Sequence, residues 1–564
     1  MKFKNVSNWS SRTFRDTIVY SPNPTIFELL SNQPTLCDKE FWAKLYIPFA
    51  CVIVSTIQNE IILVRDHVGL EPFYYSIRNN QLFFGSNIPD ILEQMIKNGI
   101  SIVRNEQRII ESLLDISLYE CNKYTDETYY NNVYRVEPGY LIQISNIESN
   151  YDCKKTCFWQ LDKHASIIQY KNNDDYLEQF SSLLDEAVTS QINSNQIIAA
   201  EYSGGLDSTA VIAAAHRNNI HPELFMHVPP SNMDETREIK AGKSVIAQFN
   251  LKANFIDATG FDFIETLHRC AKYFAGAPPF AFFMFAGNIH QAVANRGHTN
   301  LLSGFGGDQC VSGHVPLQLC ILQLYRVQQY KLAWEELHYH YHIQGTIPPV
   351  LLKKLVYFFR MTHPNLSNKL SQLRSIGDSF ITYLKQKPFQ PPTLIKQNLP
   401  KNSFKNYNSL RDFEFSTTHG KEVRMRIEYS AVLGKALGFQ YHYPLLYPKL
   451  VDFCFRLPLE QKRRHGVSRY LMRKYLAKSL GRDLYDLHPK VGSGSIMPAT
   501  VAQVSDLYKH GAFDNMFQNL PYQHEIDYII QNLKPDHPLH NEQWRFKIND
   551  YMFKYYWQEM NMTN

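Results

Sequence analysis

One segment of this sequence constrains the fold more than any other. Residues 197–209 read IIAAEYSGGLDST, in which an apolar run leads through two glycines into a stretch typical of a helix. The pattern predicts a buried strand, a tight turn at Gly204 and Gly205, and a helix directly after the turn. Such a turn can bind an anion, because glycines let backbone N–H groups point inward and the helix N-terminus carries partial positive charge. The hydroxyls of Ser203 and Ser208 can also donate to phosphate oxygens.

Asp207 stands in the same turn and needs a separate explanation. A carboxylate repels a phosphate, so Asp207 is better suited to bind a Mg²⁺ ion that bridges the phosphates. In an alternative interpretation, Asp207 and Ser208 only cap the helix. The strand–turn–helix setting, within a run of alternating strands and helices, favours the phosphate site.

The first part of the chain predicts a domain rich in antiparallel strands. Short β-branched and aromatic runs alternate there with turn residues. These runs are Phe49–Ile57, Glu60–Arg65, Phe73–Ile77 and Gln81–Phe84. A polar stretch at 164–175 marks a predicted boundary, so we expect domains at residues 1–165 and 170–564.

The second part of the chain alternates between helices and strands. Strand-like runs at Glu223–Val228 and Leu251–Ile256 flank a helical stretch at 236–249. This alternation predicts a parallel sheet with crossover helices. Residues 315–413 are expected to form a helical insertion, and the aromatic residues 544–557 a docking helix.

The composition argues against several classes of protein. A net charge of +5 over 564 residues is too small to indicate nucleic-acid binding. Nine cysteines are too sparse for a disulfide scaffold. No run approaches the roughly 18 apolar residues that span a bilayer, and the polar N-terminus does not resemble a signal peptide. We therefore expect a cytoplasmic protein without membrane insertion.

The glycine turn resembles the pyrophosphate-binding loop SGGxDS of the ATP pyrophosphatase superfamily, whose members adenylate a substrate. Further along the chain, Asn300–Asp308 reads NLLSGFGGD and is similar to the SGxGxDE element of asparagine synthetases. The resemblance implies ATP and Mg²⁺ as cofactors, with Asp207 and Asp308 as the two metal carboxylates. It also implies a set of nucleotide-binding residues. These are Tyr202, Ser203, Gly204, Gly205, Asp207, Ser208, Ser303 and Gly304.

The resemblance to asparagine synthetases extends over nearly the whole chain. Residues 65–75, RDHVGLEPFYY, and the FGS at 84–86 are similar to the glutaminase-type N-terminal domain of that family. Segments at 438–446, 468–473 and 488–498 are similar to its C-terminal landmarks. The implied fold class is a degenerate α+β Ntn-hydrolase-like domain, followed by an α/β parallel-sheet ATP pyrophosphatase (synthetase) domain with extra helices.

Departures from the asparagine synthetase pattern bear on the reaction. Glutamine-dependent members have a nucleophilic cysteine directly after the initiator Met, whereas Lys2 stands here and the nearest cysteine is Cys37. We therefore expect no glutaminase activity, so that the amine comes from elsewhere. Phe305 stands where asparagine synthetases have Glu and β-lactam synthetases have Tyr, and Gln309 stands where Glu is usual.

Two further residues are assigned by their resemblance to β-lactam synthetases. Glu428 and Lys490 have the spacing of a Glu and a Lys in those enzymes. The match implies that Glu428 accepts the amine proton and that Lys490 stabilises the leaving phosphate. Alternatively, Glu428 pairs with Arg424 one helical turn away, and Lys490 is a surface residue. Because Phe305 has no hydroxyl, the β-lactam catalytic pair is incomplete in this chain.

An enzyme that adenylates a carboxylate but lacks glutaminase chemistry needs an amine that is already present. In these properties the chain resembles the lasso-peptide cyclases, also called macrolactam synthetases. This resemblance implies a precursor peptide as substrate, in which an Asp or Glu side chain is joined to the N-terminal amine. It also implies a leader-peptide protease and a leader-recognition partner.

Three alternatives to the peptide cyclase stay open. They are a β-lactam-synthetase-like enzyme that acts on a small amino diacid, asparagine synthesis from free ammonia, and a non-catalytic peptide-binding protein on a synthetase scaffold. The intact Ser203, Asp207 and Asp308 argue against the non-catalytic alternative, whereas Phe305 and Gln309 mildly favour it.

Overall fold

The computed structural model describes most of the chain. The described residues are 2–5, 9–14, 17–31, 38–55, 57, 59–115, 125–145, 151–192, 197–229, 234–257, 262–278, 283–311, 315–344, 409–482 and 543–560. The predictions for Cys37, Lys490 and the central part of the helical insertion lie outside these residues. None of the helices in the described ranges is long and apolar enough to cross a membrane.

The N-terminal region folds into two sheets. Its strands are β1 (Lys2–Asn5), β2 (Ser10–Phe14), β3 (Thr17–Ser21), β4 (Ala50–Ser55), β5 (Glu60–Arg65), β6 (Tyr74–Arg78), β7 (Gln81–Gly85), β8 (Tyr134–Arg135), β9 (Tyr140–Ser145) and β10 (Asp152–Cys157). Its helices are α1 (Thr25–Leu30), α2 (Lys39–Ala43), α3 (Ile88–Lys97) and α4 (Glu106–Asp115). The larger sheet is antiparallel in the order β10-β9-β5-β4-β3-β2. The smaller has the order β1-β7-β6-β8; its β6–β7 pairing is antiparallel as expected, whereas β1, which was not predicted, pairs with β7 in parallel.

The turn between β6 and β7 shows how local sequence shapes this region. Asn79, with φ of 48°, and Asn80, with φ of 56°, both lie in the left-handed region. Asn adopts that conformation more readily than most residues, and two such residues give the turn that matches the twist of a hairpin. The hairpin then buries Tyr74 and Phe83 in the core.

The second region is built on a five-stranded parallel sheet, which confirms the predicted topology. The strands are β11 (Ile198–Glu201), β12 (Glu223–Val228), β13 (Ala253–Asp257), β14 (Asn300–Leu302) and β15 (Gln440–His442). Their order is β13-β12-β11-β14-β15. Because β11 and β14 are parallel neighbours, the turns that follow them leave the same edge of the sheet side by side.

Helices alternate with the strands of the parallel sheet and continue after its last strand. They are α5 (Asn173–Thr189), α6 (Leu206–Arg217), α7 (Arg237–Gln248), α8 (Phe263–Phe274), α9 (Phe283–Asn295), α10 (Leu317–Arg326), α11 (Tyr330–Gln344), α12 (Leu410–Thr418), α13 (Lys421–Leu437), α14 (Pro448–Phe455), α15 (Leu459–Lys462), α16 (Tyr470–Leu480) and α17 (Gln543–Glu559). A π-helix at Gly307–Val311, a 3-10 turn at Pro444–Leu446 and a small hairpin, β16 (Arg463–Arg464) with β17 (Val467–Ser468), complete the set. Helices α10 and α11, and the first turn of α12, are the described helical parts of the expected insertion at 315–413.

The C-terminal helix α17 packs against both regions, which confirms the predicted docking helix. Phe553 and Trp557 are buried, and the Trp557 indole donates to the Tyr130 hydroxyl at 3.2 Å. On the other side, the imidazole of His268 in α8 stacks on the ring of Tyr555 with centroids 3.9 Å apart. The two regions therefore share one apolar core under α17.

Candidate active site

The first glycine turn connects β11 to α6. Gly204 has φ of 75°, and a Cβ at this position would lie 2.2 Å from the carbonyl oxygen of Glu238, so only glycine fits. The hydroxyl oxygens of Ser203 and Ser208 are 3.1 Å apart, and Ser203 accepts from the N–H of Gly205 at 3.2 Å. No described side chain caps the N-terminus of α6, so its first N–H groups can face an anion, as the sequence predicts.

The second glycine turn follows β14 and lies directly against the first. A Cβ at Gly304 would lie 2.5 Å from the backbone nitrogen of Ser208, and one at Gly307 would lie 2.2 Å from Oδ1 of Asp207. Both distances are too short for a real Cβ contact, so the absence of a side chain lets the two turns approach. The structure thus brings the residues predicted from two separate motifs to one place.

Arg469 lies between the two predicted metal carboxylates. Its Nη1 donates to Oδ2 of Asp207 at 3.1 Å, and its guanidinium group also pairs with Asp308. Arg469 is buried and has φ of 59°, a conformation that is rare for a residue with a Cβ. Such backbone strain costs about 1–3 kcal/mol, so the surrounding structure holds this arginine at the carboxylates.

Arg473 adds a second cation one helical turn further along α16. Burial and the neighbouring charge of Arg469 lower the pKa of Arg473 to about 10, which still leaves it charged at neutral pH. Guanidinium groups of this kind can bind phosphates once a ligand or a metal ion takes over the carboxylates of Asp207 and Asp308. Residues 468–473 resemble a C-terminal landmark of the family, but that resemblance alone gives neither Arg469 nor Arg473 a role. Their spacing of four residues at the start of a helix is the signal that could have indicated one.

The two carboxylates fit a Mg²⁺ ion that is shared with a nucleotide. Mg²⁺ is usually held by one or two carboxylates together with substrate phosphates and water. Asp207 and Asp308 supply such oxygen donors, since both contact the one guanidinium group of Arg469. Within the described ranges, no cluster of three or more His, Cys, Asp or Glu side chains would hold a metal by itself. When bound, the ion would neutralise part of the phosphate charge.

Tyr202 and Ser303 support the turns through contacts inside the protein. The Tyr202 side chain is buried, its hydroxyl lies 3.3 Å from that of Thr209, and burial raises the pKa of Tyr202 to about 12. The N–H of Ser303 donates to the carbonyl of His442 at 2.9 Å, and its hydroxyl accepts from the N–H of Phe305 at 3.3 Å. Direct contacts of these residues with a nucleotide stay predictions.

Glu428 lies at the boundary between the two regions and not at the glycine turns. Its Oε1 accepts from the Tyr74 hydroxyl at 2.8 Å and from Nε of Arg135 at 3.1 Å. Nη1 of Arg65 lies 3.8 Å from the other carboxylate oxygen. The Glu428 carboxylate is therefore bonded to side chains of the N-terminal region and is almost completely buried, at 2% exposure. The position of Glu428 therefore does not support the predicted role in proton transfer.

Arg424 and Lys490 were the other residues considered together with Glu428. Arg424, the alternative partner, has its Nη1 3.4 Å from Oε2 of Glu137 in the N-terminal region. Lys490 lies outside the described residues, so its role at the leaving phosphate stays a prediction.

A cluster of charged and polar side chains next to Phe305 was not predicted from the sequence. Glu201, the last residue of β11, accepts from the Tyr441 hydroxyl and lies 3.4 Å from Nε2 of His290. Nη2 of Arg426 lies 3.8 Å from Oε2 of Glu201, and its guanidinium carbon is 5.8 Å from the centre of the Phe305 ring. Burial alone would raise the pKa of Glu201, but the contacts with His290 and Arg426 outweigh burial and lower the pKa to about 2. Tyr441 is 240 residues from Glu201, so no local pattern indicates the cluster.

Comparison with known proteins agrees with the two regions of the structure. A family model described as asparagine synthase matches residues 179–512, which is more than half of the chain. The chain belongs to the asparagine synthase family. A second model, described as a glutamine amidotransferase domain, matches residues 34–159. The N-terminal region is therefore of the amidotransferase type, as its resemblance implies.

Curated relatives are distant and matched only in part. A putative glutamine-hydrolysing asparagine synthetase 2 of Methanocaldococcus jannaschii is 24% identical over 320 residues, covering 56% of this chain and 57% of that protein. Asparagine synthetase 2 of Bacillus subtilis is 26% identical over 180 residues, covering 31% of this chain and 23% of that protein. The chain thus spans about half the length of the first relative and less of the second. Among solved structures, an NH3-dependent NAD synthetase from Campylobacter jejuni is 14% identical, with 35% of this chain and 96% of that chain covered, and a TM-score of 0.19 that is too low to support any argument.

Proposed function

We propose that this member of the asparagine synthase family is an ATP-dependent carbon–nitrogen ligase that closes a macrolactam ring in a precursor peptide. The side-chain carboxylate of an Asp or Glu attacks the α-phosphorus of ATP, and pyrophosphate leaves. The N-terminal amine of the same peptide then attacks the acyl carbon, AMP leaves, and the amine gives up a proton. The product is an isopeptide ring of the kind that lasso peptides contain.

The observation that carries the ATP-dependent step is the contact between the two glycine turns. This contact brings the N-terminus of α6, which has no side-chain cap, close to the carboxylates of Asp207 and Asp308. The guanidinium groups of Arg469 and Arg473 lie beside them. Cations and N–H groups fixed in advance around a leaving pyrophosphate stabilise the charge that develops on it.

The cysteines of the N-terminal domain support an amine source other than glutamine. Among the described residues of that domain, Cys51 is fully buried, and burial raises the pKa of its thiol. Burial also raises the pKa of Cys153 and of Cys157, both on β10. A glutaminase nucleophile needs a lowered pKa, so none of these three thiols fits that role.

The position of the helical insertion supports a substrate larger than an amino acid. The chain returns from the insertion into α12, where the hydroxyls of Thr417 and Thr418 donate to the carbonyl of Gln309, the residue after Asp308, at 3.4 and 3.3 Å. The preceding helix α11 is anchored by Glu336, which accepts from Nε of Arg463 at 3.2 Å. A peptide bound against these helices lies next to the proposed ATP site.

A tethered amine also suits a site without glutaminase chemistry. Delivering the amine within the same molecule removes the entropy cost of bringing two reactants together, which is worth roughly 7–11 kcal/mol in well-oriented cases. We therefore propose, from the resemblance to lasso-peptide cyclases, that a leader-peptide protease frees the amine. A leader-recognition partner would deliver the precursor.

The proposal is tested by mass spectrometry of candidate core peptides. The purified chain is incubated with Mg·ATP and leader-free peptides that carry a free N-terminus and an internal Asp or Glu. We expect the peptide to lose one water for each AMP and pyrophosphate formed. Asp207→Asn should abolish the reaction, whereas the control Asp174→Asn should retain it, because Asp174 is exposed and pairs only with Lys474 among the contacts found for it.

The same assay separates the alternatives. AMP formation with a small amino diacid, or with aspartate and ammonium, but with none of the peptides would contradict the peptide substrate. It would favour a β-lactam-synthetase-like or ammonia-dependent enzyme instead. ATP binding without AMP from any carboxylate would favour the non-catalytic peptide-binding protein.

A further inference from the structure

Helix α13 carries charged residues on two opposite faces. Three of its side chains point toward the N-terminal domain. Arg424 pairs with Glu137, Glu428 with Arg135, and Lys435 with Glu71. Since an α-helix turns once every 3.6 residues, these three positions lie on one side, and Arg426 lies on the other. The helix therefore stands between the N-terminal domain and the core of the synthetase domain.

The face toward the N-terminal domain contacts a buried and extensively hydrogen-bonded arginine, Arg65. Arg65 donates to three backbone carbonyls of its own domain, those of Gly69, Glu71 and Val136, at 3.0, 2.6 and 3.0 Å. Arg65 and Glu428 are almost completely buried, at 1% and 2% exposure. A guanidinium group that is fixed in this way can hold the Glu428 carboxylate, and with it the helix, in one position.

The opposite face reaches the elements that carry both glycine turns. Arg426 pairs with Glu201, two residues before Ser203 of the first turn. Its guanidinium group also lies over the ring of Phe305, which belongs to the second turn. A rotation or shift of α13 therefore moves a buried cation against both turns at once.

We propose that the N-terminal domain acts as a clamp on α13, which positions Arg426 and thereby the two glycine turns. Glu428 is then a positioning residue, not a catalytic one. The clamp gives the amidotransferase-type domain a function that needs no reactive thiol. This inference rests on the family fold and on the contacts of α13, and not on the proposed peptide substrate.

Hydrogen exchange of the full-length chain, read by mass spectrometry, tests the clamp. We expect Glu428→Gln to speed exchange several-fold in peptides that cover residues 198–207 and 300–308. Neither segment has a direct contact with Glu428 among those found for the described residues. Tyr74→Phe, which removes one hydrogen bond to Glu428, should give a smaller change in the same peptides. Arg426→Gln should affect both turns while leaving the N-terminal strands unchanged.

Two controls make the experiment decisive. Glu93→Gln alters an exposed ion pair with Lys97 and should leave both turns unchanged. The amides of β4 and β5 report unfolding of the whole chain, so exchange is compared at labelling times short enough for β4 and β5 to stay protected in every variant, including the less stable ones. Faster exchange confined to α13, β6 and β8 would overturn the proposal, and so would a uniform rise that includes β4 and β5. If Glu428→Gln does not fold, the milder Tyr74→Phe variant decides by the same criteria.

Discussion

The nucleotide turns and the domain boundary use the same kinds of charged residue in different ways. At the turns, Asp207 and Asp308 meet Arg469 at the edge of a sheet, where backbone N–H groups can face a ligand. At the boundary, Glu428 and Arg135 are buried and bonded to each other. The first arrangement is suited to exchange its partners for a ligand, whereas the second satisfies its charges inside the protein.

The difference shows what the N-terminal domain contributes. A buried ion pair is expensive to form and more expensive to break, since removing one partner leaves the other charge without compensation. We therefore expect changes at the boundary to act mainly on stability, and changes at the turns to act mainly on nucleotide binding and turnover. The predictions below test this division.

The largest expected effect is on stability at the boundary. Glu428→Gln leaves the guanidinium groups of Arg65 and Arg135 without their carboxylate and should lower the free energy of unfolding by about 3–5 kcal/mol. Urea unfolding, followed by circular dichroism, measures this loss. Glu93→Gln on the surface should change it by less than about 1 kcal/mol. Equal small changes in both variants would remove the basis for distinguishing the two regions.

The cluster that Glu201 forms with His290, Arg426 and Tyr441 inside the synthetase domain predicts a pH dependence of stability. Because the pKa of Glu201 falls to about 2 in the folded chain, the unfolded chain binds its proton more readily between about pH 4.5 and 2. The stability from this group is complete above about pH 4.5 and is lost as the pH falls through about 2. Wild-type protein should therefore lose up to about 3 kcal/mol more than Glu201→Gln across that window. Parallel stability curves for the two proteins, measured in urea, would contradict this assignment.

The close approach of the turns predicts a loss of turnover with little loss of stability. A Cβ at Gly307 would overlap the Asp207 carboxylate, so Gly307→Ala must displace one of the two turns. A displacement of this kind can reduce the rate about 100-fold, measured as AMP formed per minute. Gly287→Ala in α9 is the comparison, since its Cβ would come no closer than 3.1 Å to Thr266. Unchanged turnover in Gly307→Ala would show that the contact between the turns is dispensable.

The smallest of these effects concerns the cation at the carboxylates. Arg469→Gln removes a charged donor worth about 1.5–3 kcal/mol, so we expect at least about tenfold weaker binding of a Mg·ATP analogue. Isothermal titration calorimetry measures the change. Arg482→Gln is the matched control, because Arg482 is only half-buried and bonds Ser244 and Gln248 at the surface. Equal affinity in all three proteins would exclude Arg469 from the phosphate site.

Much of the fold could be predicted from the sequence because its signals are local. The run Glu60–Arg65 and the run Glu223–Val228 have the predicted bounds in the structure. The alternation of strands and helices predicts the parallel sheet. The glycine turns after β11 and β14 predict the edge of the sheet at which a ligand binds. The parallel pairing of β1 with β7 could not be predicted, since it joins residues that lie far apart in the chain.

The site was predictable only where a motif is contiguous. The residues at 203–208 and 303–308 follow strands directly, so strand order alone brings them together. Glu428 was assigned by spacing, but its partner Tyr74 lies 354 residues away and only the folded chain reveals it. Arg469 and Asp207 are 262 residues apart in the chain, so only the fold reveals that Arg469 binds this carboxylate.

The central claim is that the two turns activate a carboxylate by transferring AMP to it. The direct test supplies the chain with Mg·ATP and a core peptide whose Asp and Glu side chains carry oxygen-18, and then analyses the nucleotide product by mass spectrometry. Adenylation transfers one labelled oxygen from the peptide to AMP, so we expect labelled AMP in step with cyclised peptide, and none from Asp207→Asn. Cyclised peptide accompanied by ADP, or by AMP without the label, would contradict the account.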